Sequence, residues 1–108
     1  MIQVIKTMTG GRIIGFSYEG HAGYAEYGQD IVCSAVTAQL MMAYNGLETV
    51  LGIPLDLDMD ETGGYFAFRL KDPADAPRAE VLMETLDLGL AAIQSQYENN
   101  ITLKKEEV

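Results

Sequence analysis

Alternating apolar and polar positions open the chain. I-Q-V-I-K-T-M, then T-G-G, then R-I-I-G-F-S-Y-E-G reads as a β-hairpin turned at Gly10 and Gly11, since glycine reaches positive φ without steric cost. Alternation puts Ile14, Phe16 and Tyr18 on one face of the second strand and Ser17, Glu19 and His21 on the other. A-G-Y-A-E-Y-G-Q, residues 22–29, has two glycines and no period, which predicts a mobile loop. Asp30 then precedes a long helical pattern that ends near Gly52, with Pro54 beyond it. On this reading Asp30 is the N-cap, Cys33 is the third helical residue, and Thr37, Leu40 and Tyr44 follow down the same face.

L-D-L-D-M-D alternates Leu55, Leu57 and Met59 with Asp56, Asp58 and Asp60, the pattern of a half-buried strand with an acidic outer face. Thr62, Gly63 and Gly64 make the turn, and Y-F-A-F-R-L-K returns with Phe66, Phe68 and Leu70 inward. Asp75, Ala76 and Pro77 open a second helix with an apolar stripe of Val81, Leu82, Leu86, Leu90, Ile93 and Tyr97. N-N-I-T-L-K-K-E is expected to add a short last strand with frayed final residues. The order ββαββα(β) lacks the strict strand and helix alternation of doubly wound folds. It predicts an α+β fold in two layers, with an antiparallel or mixed sheet of four to five strands carrying two helices on one face.

Composition narrows the class. A chain of 108 residues with 48% hydrophobic and 21% charged residues has the size and balance of one globular domain, read here as residues 1–108. The N-terminal segment has no basic region followed by a sustained apolar run, nothing approaches the roughly 18 apolar residues of a membrane span, and a single cysteine makes no internal disulfide. A reducing, cytoplasmic setting is expected, with no membrane partner. A net charge of -9 argues against a nucleic-acid surface, because phosphate binding needs clustered Lys and Arg, and favours a neutral or basic partner. Solubility alone also accounts for such charge.

The one histidine and the one cysteine both lie in G-H-A-G-Y-A-E-Y-G-Q-D-I-V-C, Gly20 to Cys33. A cysteine in a helix's first turn meets free amides and the positive end of the dipole, which stabilise a thiolate. A nearby histidine completes the minimal nucleophile and base of acyl transfer, with the same amides available to an oxyanion. The unreactive alternative is a buried packing cysteine beside a bystander histidine. One His and one Cys fall short of a zinc set, so neither metal nor cofactor is expected. D-L-D-M-D-E-T-G-G-Y-F-A fails as a calcium loop, with Glu61 where glycine is needed and Ala67 where the bidentate Glu belongs. Met41, Met42 and tyrosines 24, 27 and 44 either line an adaptable apolar site or simply pack.

Gly20-His21-Ala22, followed by a glycine-containing loop and then Gly28-x-Asp30-Ile31-Val32-Cys33, resembles the signature of the ribosomal-processing cysteine protease family, Prp. The likeness continues through Gly63-Gly64, the second helix and the Y-x-x-N-I-x-L segment from Tyr97 to Leu103. The resemblance implies a cytoplasmic, homodimeric cysteine endopeptidase. It would remove the short N-terminal extension of a large-subunit ribosomal protein, cutting after paired phenylalanines preceded by leucine and glutamine. His21 would be the general base and Cys33 the nucleophile, supported by Asp30 and by Thr37, which stands where family members often carry serine. Ala22, Gly23, Tyr24, Tyr27 and Gly28 would belong to a gate that moves as substrate enters. Two other readings stand beside it: a non-catalytic acidic binding module for a ribosomal protein or assembly factor, and a thiol redox sensor that makes no use of His21.

Overall fold

The computed structural model describes residues 1–20, 27–60 and 64–108, with the backbone alone for residues 27–30. Its elements are β1 (Ile2–Thr9), β2 (Arg12–Glu19), α1 (Tyr27–Asn45), β3 (Leu55–Met59), β4 (Tyr65–Leu70), α2 (Ala76–Gln96) and β5 (Ile101–Glu107). A π-helical turn at Gly46–Val50 prolongs α1, and a 3-10 turn at Pro73–Asp75 leads into α2. The strands form one mixed sheet in the order β3-β4-β2-β1-β5. Pairing is antiparallel except between β1 and β5. This is the expected α+β arrangement, with the fifth strand present.

The first hairpin turns where its glycines require, with φ of 55° at Gly10 and 78° at Gly11. Its register jumps from Thr7 opposite Gly15 to Met8 opposite Ile13, leaving Ile14 as an extra residue on β2. Such a bulge breaks strict alternation, so Ile13 and Ile14 are both buried.

One hydrophobic cluster fills the space between sheet and helices. Val4, Ile14, Phe16, Tyr18 and Phe68 come from the strands, Val32, Val36 and Leu40 from α1, and Met83, Leu86 and Leu90 from α2. Tyr44 stands edge-on to Phe66 and Phe68, its ring centre 6.2 Å and 6.1 Å from theirs, so it is a packing ring over β4. Met41 and Met42 on α1 are about half exposed instead. Lys6, inward on β1, bonds Asp87 of α2 at 2.9 Å and ties that helix to the sheet.

Four expectations need correction. Helix α1 begins at Tyr27, so Tyr27, Gly28 and Gln29 belong to it and not to a loop, and Asp30 is an interior residue, not the N-cap. Glycine costs a helix roughly 1 kcal/mol relative to alanine, a local propensity that does not stop the helix at Gly28. Leu57 and Met59 remain 43% and 58% exposed, because β3 is an edge strand and the helices do not extend over it. The buried stripe of α2 runs Ala79, Met83, Leu86, Leu90, Ile93, while Val81 is 80% exposed. Finally, β5 is not frayed: it pairs with β1 as far as Met8 opposite Glu107, and the Val108 amide donates to the Met8 carbonyl at 2.9 Å. The turn expected at Thr62 to Gly64 lies, apart from Gly64, outside the described residues.

The α2 stripe is open to measurement. Met83→Ala should cost about 2 to 4 kcal/mol of unfolding free energy and Val81→Ala no more than about 0.5, read from urea midpoints.

Candidate active site

Cys33 sits in the second turn of α1, the seventh residue when Tyr27 is counted as the first, and it is partly exposed. The free amides and dipole of a helix start fade beyond the first turn. The activation expected of a first-turn cysteine therefore does not apply, since α-helical geometry commits the Cys33 amide to the carbonyl of Gln29, four residues back.

A side chain from the sheet meets the thiol instead. Tyr18 lies near the end of β2, opposite Val4 of β1 and Phe66 of β4, and its inward side chain is only 2% exposed. Its hydroxyl donates to Cys33 Sγ at 3.0 Å. Burial first, then the bond to Cys33 and the charge of that group, push the phenol well above its ordinary value of 10.0.

Gly20 closes this corner. Its amide donates to the Gly64 carbonyl at 3.0 Å, carrying the pairing of β2 and β4 one step past Glu19 and Tyr65. A Cβ on Gly20 would collide with the Tyr18 hydroxyl oxygen and lie 2.9 Å from its Cζ and 3.5 Å from Cys33 Sγ. Glycine is required here by close approach.

Thr37 follows Cys33 by one helical turn, as spacing indicated. Its hydroxyl donates to the Cys33 carbonyl at 2.7 Å and is 3.3 Å from the Ser34 carbonyl, so it serves the backbone carrying the thiol and not the sulfur. Asp30 shares the helix with Cys33. His21, Ala22, Gly23 and Tyr24 lie outside the described residues, and of Tyr27 and Gly28 only the backbone is described.

The model of the family described as "Cysteine protease Prp" matches residues 1–102. The chain belongs to that family. The Bacillus subtilis ribosomal processing cysteine protease Prp is 38% identical over 92 residues, 82% of this chain and 82% of its own length. The Staphylococcus aureus Prp is 31% identical over 93 residues, 86% and 87% of the two chains. Among solved structures, a Streptococcus mutans protein superposes with a TM-score of 0.87 at 32% identity, over 100% of this chain and 96% of its own. The S. aureus Prp in complex with a substrate peptide superposes with a TM-score of 0.88 at 29% identity, over 98% and 100%. Prp membership makes the chain a cysteine peptidase, a hydrolase.

Sequence reasoning placed Tyr18 correctly on the inward face and stopped there. The signal for more was that face itself: a tyrosine among core residues needs a partner for its hydroxyl. Which partner it finds is a tertiary matter.

Above pH 10 the unfolded chain loses the Tyr18 proton while the folded protein keeps it, and below pH 10 both states hold it. Stability should fall as pH rises from 10, and Tyr18→Phe should remove up to about 1.4 kcal/mol per pH unit of that slope in urea titrations. Asp30→Ala should leave stability within about 0.5 kcal/mol of wild type, because no N-cap is lost and alanine is the better helix former.

Proposed function

We propose that this Prp-family peptidase is a cytoplasmic endopeptidase that removes the short N-terminal extension of a large-subunit ribosomal protein. Cys33 is the nucleophile and His21 the general base. The observation that carries the reading is that a chain of a cysteine protease family has one cysteine, and this residue is partly exposed on α1 with its sulfur held by a buried phenol.

In this chemistry the base takes the thiol proton and the sulfur attacks the peptide carbonyl. The tetrahedral intermediate expels the amine, which leaves with that proton, and water then hydrolyses the thioester. Supporting the covalent route, S. aureus Prp has been solved with a covalently linked product peptide. The relatives named for ribosomal processing supply the substrate class. The net charge of -9 suits a basic ribosomal partner, chiefly by steering encounter. Thr37 supports the nucleophile's helix through the carbonyl of Cys33, and Asp30, three residues before Cys33 on the same helix, has a supporting role in the reaction and not in helix stability. Ala22, Gly23, Tyr24, Tyr27 and Gly28 serve as the gate that admits the peptide. The working unit is one domain of residues 1–108, assembled as a homodimer, which sedimentation of the purified protein measures.

A peptide containing Leu-Gln-Phe-Phe-Ala tests the reading. Wild type should cut it after the second Phe, and Cys33→Ala and His21→Ala should each slow cleavage by roughly 10⁴-fold or more. Equal cleavage by Cys33→Ala would sink the assignment. Binding without cleavage by wild type would make the protein a binding module.

A further inference from the structure

Peptide hydrolysis through a thioester needs a hydrogen-bond donor where the carbonyl oxygen becomes an oxyanion. A cysteine in a helix's first turn finds such donors in free amides, but Cys33 stands in the second turn, where its own amide is taken up within α1. The described donor at the sulfur is the Tyr18 hydroxyl, 3.0 Å from Sγ, on a side chain 2% exposed and fixed between β1 and β4. We propose that Tyr18 is a catalytic residue of this peptidase, the donor that stabilises the oxyanion formed when Cys33 attacks the substrate.

The geometry supports the transfer of this hydrogen bond. The oxyanion lies two covalent bonds from the sulfur, so a hydroxyl already at the sulfur reaches it largely by swinging its proton. As the carbon to sulfur bond forms, the carbonyl π pair moves onto oxygen, and the hydrogen bond follows the negative charge from one atom to the other. The phenol gives up no proton: burial holds it protonated far into alkaline solution. When the intermediate collapses, the pair returns to the carbon to oxygen bond, the amine leaves with the proton taken from the thiol, and the hydroxyl returns to the sulfur. Gly20 belongs to the same device, because any Cβ there would strike the Tyr18 hydroxyl and displace the donor.

This inference rests on the protease reading, and the test separates the two. Cleavage of the Leu-Gln-Phe-Phe-Ala peptide and alkylation of Cys33 by iodoacetamide are measured on wild type and Tyr18→Phe, an isostere that keeps the ring packing. Alkylation uses the sulfur but forms no oxyanion. The expected result is a kcat lowered about 100-fold, with KM and the alkylation rate within about threefold of wild type. A kcat within threefold of wild type, or a kcat and alkylation rate that fall together, overturns the proposal. Gly20→Ala, which keeps the phenol but displaces it, should show the same split. If circular dichroism shows Tyr18→Phe unfolded, an unchanged kcat in Gly20→Ala overturns the proposal on its own. Wild type that cuts nothing overturns the protease reading and this inference with it.

Discussion

The hydrogen bond between Tyr18 and Cys33 demands that a strand and a helix keep their relative position to within tenths of an ångström. Close-packed cores meet such a demand because neither element can shift without opening a void or forcing an overlap. Here the tyrosine is on β2, the middle strand of the sheet, and the cysteine is on α1, whose Val32, Val36 and Leu40 are fully buried in the shared core. Tyr44 on the edge-facing ring cluster and the salt link from Lys6 to Asp87 hold the two helices over opposite parts of the same sheet face. The reactive corner lies where this packed interior reaches the surface.

That location suits a cysteine peptidase. The donor is buried and therefore fixed, whereas the thiol it serves is partly exposed and open to substrate. Fixed dipoles cost no reorganisation at the moment of reaction, which is why they outweigh mobile ones in stabilising developing charge. The negative charge of the chain acts at longer range, raising the encounter rate with basic partners without adding contacts at the thiol.

Much of the fold was legible from local pattern. The Gly10 and Gly11 turn, the inward Phe16 and Tyr18, the two helices and the element order all follow from periodicity and turn chemistry, which act over a few residues. The failures share a different origin. Leu57 and Met59 alternate as core residues do, yet they are exposed because β3 falls at the sheet's edge. Val81 is more hydrophobic than Ala79, yet Ala79 is buried because its row of α2 is the one packed into the core. Both outcomes depend on neighbours distant in sequence.

At the site the division is sharper. The sequence by itself determined that one cysteine stands within a helical pattern, that the G-H-A and D-I-V-C segments flank a short connection, and that Tyr18 faces inward. Only the tertiary structure decided that α1 starts at Tyr27, which removes Cys33 from the first turn, and that the Tyr18 hydroxyl ends against its sulfur. A helix start is not fixed by the propensity of one weak helix former such as Gly28, and a contact between residues 18 and 33 depends on how a strand and a helix pack. Local sequence encodes propensity and face, while the meeting of two faces is a property of the whole core.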